Sequence, residues 1–151
     1  RLIVWRDYLL AAGGLVIYFA LAMVVMNLAK FLPWIDLAQK QEVGIVDPSN
    51  GELILVFFLF AVVAPIVEEV IFRGAIIGQA LAKHLWWGAA VSMLLFAAIH
   101  MPEDAISWLM YGGLGAAFSW VYVRTKQLWQ CVVLHMANNL LALASMLGWL
   151  G

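Results

Sequence analysis

Five apolar runs, separated by short polar intervals, make up most of the chain. They cover residues 9–29, 53–81, 86–100, 105–123 and 128–149. A helix that spans a membrane needs about 20 mostly apolar residues, and most of these runs reach or approach that length. The pattern therefore predicts an all-α fold, an integral membrane helical bundle with about five transmembrane helices.

The polar interval at residues 30–52 is the largest break in this pattern, and it contains Pro33, Trp34 and the turn-forming Asp47-Pro48 pair. No internal repeat or Gly/Ser-rich linker divides the chain. We therefore expect one transmembrane domain over residues 1–151. Its first 52 residues supply one span and the polar interval, and its core at about 53–149 contains every motif discussed below.

Composition agrees with a membrane protein, because 66% of the residues are hydrophobic and only 11% are charged. Soluble domains have about half apolar and a quarter charged residues. The net charge of -1 creates no basic field that would attract nucleic acid. Membrane lipid is the expected partner, and nucleic acid is not.

The positive charges predict the orientation, since Lys and Arg concentrate on the cytoplasmic side of membrane proteins. A cytoplasmic N terminus places Lys30 and Lys40 outside. The basic residues that it places inside are Arg1, Arg6, Lys83, Arg124 and Lys126. We therefore expect the N terminus to be cytoplasmic.

Two adjacent carboxylates, Glu68 and Glu69, interrupt the second apolar run together with Arg73. An ionised carboxylate at membrane depth costs at least ~2.5 kcal/mol unless partners, water or function offset it. Neighbours on an α-helix differ by about 100°, so the two carboxylates face different ways, whereas Glu69 and Arg73 form an i,i+4 pair. We expect Arg73 to hold Glu69 and Glu68 to be available as a general base; the alternative is a purely structural ion pair.

Three further polar side chains lie in later runs: His100, His135 and Asn139. His135 and Asn139 share a helix face at i,i+4, so both can donate toward one point, which suits a developing oxyanion. Each could instead be an interhelical hydrogen bond. Together with Glu68 they form an inventory for adding water to a carbonyl.

The spacing of these residues resembles a known family. Glu68-Glu69-Val-Ile-Phe-Arg73 matches EExxxR, Phe96-Ala-Ala-Ile-His100 matches FxxxH, and His135-Met-Ala-Asn-Asn139 matches HxxxN. These are the motifs, in the same order, of the CAAX-protease and bacteriocin-processing family of intramembrane glutamic endopeptidases. They span residues 68 to 139, and no motif covers the first span or the polar interval.

The resemblance implies a role for each residue and a cellular location. Glu68 would activate the hydrolytic water with help from His100, and Glu69 with Arg73 would organise the site. The other implied roles are oxyanion binding for His135 and Asn139, and packing for Phe96. The expected substrate is a membrane-associated or prenylated peptide or protein, no cofactor is required, and the location is the bacterial plasma membrane.

Two other hypotheses remain open. Glu68, Glu69, His100 and His135 could bind Zn²⁺ or another divalent ion, as in a metal-dependent membrane protease. Against this, adjacent glutamates do not readily point at one ion, and the chain has no HExxH motif. The chain could also be a non-catalytic binding or immunity protein, or a proton-linked carrier, in which the buried ionisable groups serve as helix contacts or relay groups.

Overall fold

The structure is a computed structural model that describes residues 52–147 together with Leu9, Gly13, Val16 and Ala20. These four isolated positions are helical and belong to the predicted first span. The rest of that span, and the polar interval up to Gly51, lie outside the described residues. The predicted second to fifth runs are described almost completely.

Four helices, which we number α1–α4, make up most of residues 52–147. The first, α1, consists of four consecutive segments, with α-helix at Glu52–Phe58 and Ala64–Glu69 and π-helix at Leu59–Val63 and Val70–Ala80. The others are α2 at Leu85–Ile99, α3 at Ala105–Thr125 and α4 at Leu128–Met146. Residues 52–147 contain no strand, so the predicted all-α class is confirmed.

Three helical stretches are long and apolar enough to cross a membrane: Ile54–Ala80, Ala105–Thr125 and Leu128–Ser145. The predicted span at 86–100 is instead the shorter apolar helix α2, of 15 residues. Short turns join successive helices, so neighbours run in opposite directions. The described chain is therefore an up-and-down membrane bundle.

The centre of the bundle is a hydrophobic cluster contributed by α1, α2 and α3. Its buried members are Phe72, Phe96, Leu114 and Phe118. Close contact between α2 and α3 depends on Gly115, where an added Cβ would lie 3.2 Å from the Phe96 ring and 3.3 Å from the Met93 backbone. The core therefore forms where α1, α2 and α3 meet.

The turns place opposite charges at the two ends of the bundle. Lys83 and Lys126 lie in the turns at one end, while Glu103 and Asp104 lie in the loop at the other. From the basic end, α2 extends about 22 Å and the 21-residue α3 about 31 Å. His100, at the end of α2, therefore lies about 9 Å nearer to the basic end than the start of α3 does. This explains how a residue at the end of its helix reaches the interior of the bundle.

Candidate active site

A wholly buried ion pair lies at the centre of the site. Arg73 Nη1 donates to Glu69 Oε1 at 2.9 Å, and both side chains are 0% exposed. This confirms the predicted i,i+4 pair. The second nitrogen, Nη2, donates to the carbonyl oxygen of Gly115 on α3 at 2.9 Å. Arg73 thus links Glu69 of α1 to the neighbouring helix α3.

Three aromatic rings surround this guanidinium. Its Cζ lies 4.7 Å from the ring centre of Phe96, 5.3 Å from Phe118 and 5.9 Å from Phe72. A cation over an aromatic face is stabilised by the ring quadrupole, more strongly when water is excluded. Phe96, expected to be a packing residue, is 0% exposed and in this contact.

Glu69 also holds His135, a contact that the sequence did not predict. His135 Nδ1 lies 2.9 Å from Glu69 Oε1, and the ring stacks on Phe118 with centroids 4.8 Å apart. A carboxylate paired with Arg73 is ionised and only accepts hydrogen bonds, so Nδ1 donates. The other nitrogen, Nε2, lies 3.9 Å from Glu68 Oε2. The two glutamates therefore contact opposite sides of one imidazole.

Glu68 differs from Glu69 as helical geometry predicts. Its side chain is 21% exposed, and its Oε2 has no hydrogen-bond partner among the described residues. Both His135 and His100 lie close enough to interact electrostatically with its carboxylate. Glu68 is thus the carboxylate that remains available at the edge of the buried cluster.

His100 has a fixed ring orientation. Its Nδ1 lies 2.7 Å from the carbonyl oxygen of Phe96. Because a carbonyl only accepts, Nδ1 donates and Nε2 is left as the free nitrogen. One face of the ring stacks on Tyr111, with centroids 4.3 Å apart and planes 23° apart. Phe96 is tilted against the ring at 4.8 Å.

Asn139 donates from Nδ2 to the carbonyl oxygen of Phe60 at 2.9 Å, and its Oδ1 accepts from Asn138 at 3.2 Å. The sequence predicted that His135 and Asn139 could donate toward one point. In the structure, His135 Nδ1 and Asn139 Nδ2 donate to Glu69 and to the Phe60 carbonyl, each at 2.9 Å. Among the described residues, neither His135 Nε2 nor the second hydrogen of Asn139 Nδ2 takes part in a hydrogen bond.

The structure brings Glu68, Glu69, Arg73, Phe96 and His135 into one cluster, with His100 at its edge and Asn139 one helical turn from His135. The sequence did not identify the contributions of Tyr111, Gly115 and Phe118. Only Gly115 left a signal, as one of several small residues in α3. Tyr111 and Phe118 read as ordinary aromatic residues of an apolar helix.

The described residues include no group of three or more His, Cys, Asp and Glu side chains arranged to hold a metal ion. Of the four residues considered as metal ligands, Glu69 already shares its Oε1 between Arg73 and His135. Its Oε2 has no hydrogen-bond partner among the described residues.

A known protein family matches this chain over more than half of its length. A family model described as type II CAAX prenyl endopeptidase Rce1-like matches residues 50–141. The chain belongs to the Rce1-like family. The matched residues include all three motifs and most of the described helices α1–α4.

Individual relatives are bacterial membrane proteins. The chain is 30% identical over 108 residues to the membrane-embedded CAAX protease MroQ of Staphylococcus aureus, covering 62% of this chain and 43% of MroQ. It is 31% identical over 86 residues to YdiL of Bacillus subtilis, covering 56% of this chain and 34% of YdiL. The chain thus spans less than half the length of these relatives. No solved structure matches it.

Proposed function

We propose that the chain is an intramembrane endopeptidase in which Glu68 activates a water molecule for attack on a peptide carbonyl. The observation that supports this most directly is the inequality of the two glutamates. Arg73 and His135 both bind Glu69. Glu68 is partly exposed and faces the free side of His135. A general base needs this combination of access and an unsatisfied carboxylate.

The reaction proceeds without a covalent intermediate. Glu68 takes a proton from water as the water oxygen attacks the carbonyl carbon, and it returns the proton to the leaving amine. His100 Nε2 accepts a hydrogen bond that orients the water, because Nδ1 is committed to the Phe96 carbonyl. A base of this kind contributes about 10²–10⁴-fold to the rate.

The oxyanion receives hydrogen bonds from His135 Nε2 and from the second hydrogen of Asn139 Nδ2. Since His135 Nδ1 already donates to Glu69, Nε2 donates only when the ring is an imidazolium.

The proposed substrates are membrane-associated or prenylated peptides and proteins, which would reach a site within the bundle. The proposed orientation has the basic end, with Lys83 and Lys126, at the cytoplasmic face. His135 is seven positions into α4, about 10 Å from that end. Lipid surrounds the exposed apolar faces of the helices.

Glu68→Gln tests the proposed base. Purified wild-type protein and the variant are incubated with a peptide library, and the products are read by mass spectrometry. The wild type is expected to cut, and Glu68→Gln to lose about 10²–10⁴-fold in rate. Glu103→Gln, the same change in an exposed loop, is the control. Equal cleavage by wild type and Glu68→Gln would overturn the proposal.

A further inference from the structure

The hydrogen-bond register of α1 leaves one carbonyl without a backbone donor. The segment Leu59–Val63 is π-helical, a form in which an N–H donates to the carbonyl five positions back, and the Ala64 N–H donates to the Leu59 carbonyl in this way. If the same register continued, the N–H of residue 65 would donate to the carbonyl of Phe60. Residue 65 is proline, which has no N–H. The Phe60 carbonyl therefore needs a donor from elsewhere.

Asn139 on α4 supplies that donor. Its Nδ2 lies 2.9 Å from the Phe60 oxygen, although the residues are 79 positions apart. Pro65 is fully buried and Asn139 is 8% exposed. A buried carbonyl without a partner is destabilising, and few occur in native proteins.

A second contact follows the same pattern. In the π segment Val70–Ala80, the carbonyl of Phe72 accepts a hydrogen bond from Ser92 Oγ on α2 at 2.9 Å. Each π segment thus binds a polar side chain from a different neighbouring helix. The short α-helical segment Ala64–Glu69, with both glutamates, lies between these two contacts.

We propose that Asn139 is a positioning residue that replaces the N–H missing at Pro65. The contact fixes α4, and with it His135, against the segment of α1 that contains Glu68 and Glu69. This task belongs to the resting fold and is independent of any hydrogen bond to a reaction intermediate. It therefore goes beyond the oxyanion role proposed above.

A compensating substitution tests this directly. Asn139→Leu keeps the side-chain volume but removes the donor, and we expect it to lower the apparent Tm in detergent by about 5 °C. Adding Pro65→Ala restores a backbone N–H that can bond the Phe60 carbonyl. The double variant is expected to recover at least half of the lost Tm. Pro102→Ala, which restores an N–H in the loop between α2 and α3, is the control and should give no recovery.

Recovery of Tm with Pro65→Ala, but not with Pro102→Ala, supports the proposal. Equal Tm changes from the two proline substitutions, or none, overturn it. If Asn139→Leu yields no folded protein, the same comparison is made on the amount of folded protein recovered. Peptidase assays on the same samples separate the two roles, because a double variant that is stable but inactive shows a direct task for Asn139 as well. Absence of activity in the wild type would overturn the proposed function without affecting the Tm result.

Discussion

Glu69→Gln should destabilise the fold strongly, because Glu69 is the only carboxylate within hydrogen-bond distance of Arg73 in the described structure. The substitution keeps the shape of the side chain and removes its charge. Arg73 then remains 0% exposed with no counter-ion in contact. Removing one partner of a buried ion pair typically costs about 3–5 kcal/mol, since the remaining charge stays desolvated.

This cost corresponds to an apparent Tm lower by about 10 °C for a chain of this size. The assay is thermal or denaturant unfolding in detergent micelles, with Glu103→Gln as the matched control. Adding Arg73→Met removes the unpaired charge, and it is expected to recover part of the stability even though it deletes a second polar residue. A Glu69→Gln protein within about 1 kcal/mol of wild type would refute the reasoning. So would a double variant whose loss equals the sum of both single losses.

Three further predictions concern the ring of His100, the start of α3 and metal. Tyr111→Leu should lower kcat about three- to tenfold relative to Tyr111→Phe, because a stacked ring contact contributes ~0.5–1.5 kcal/mol. In a His100→Ala background the two Tyr111 variants should have equal kcat. A difference that persists there would contradict a role of Tyr111 through His100. Hydrogen bonds from the Ser107 N–H and hydroxyl, at 2.8 and 3.0 Å, hold the pKa of Asp104 below its usual value. Asp104→Ala should therefore cost about 1 kcal/mol of unfolding free energy at neutral pH, and the difference should disappear as the pH falls below about 4, through the lowered pKa. Chelators should leave peptide cleavage unchanged, whereas a loss that Zn²⁺ restores would favour the metal-dependent alternative.

The helices and the inequality of the two glutamates could be predicted from local rules. Apolar runs of spanning length predicted helices close to α1–α4, and the bounds differ by a few residues. The i,i+4 spacing predicted the ion pair between Glu69 and Arg73, which is present at 2.9 Å. Such predictions succeed because helix geometry determines them within one turn or two.

Contacts between helices could not be predicted in this way. The hydrogen bond from His135 to Glu69 joins residues 66 positions apart, and the spacing of the two motifs says nothing about which nitrogen meets which oxygen. The shortness of α2 brings His100 into the bundle, but that depends on where the turns lie relative to α3. Long-range placement therefore required the structure.

The π segments show why an assumed uniform helix was insufficient for α1. A π turn bonds five positions back instead of four, so each segment alters the faces of all residues that follow it. The predicted directions of Glu68 and Glu69 relative to each other remain valid, because both lie in the α-helical segment Ala64–Glu69. Their directions relative to α2 and α4 depend on both π segments. The sequence signal for the first irregularity was Pro65, and its partner was Asn139. A proline inside an apolar helix, together with a buried amide on another helix, is thus a pattern from which such a contact could be predicted.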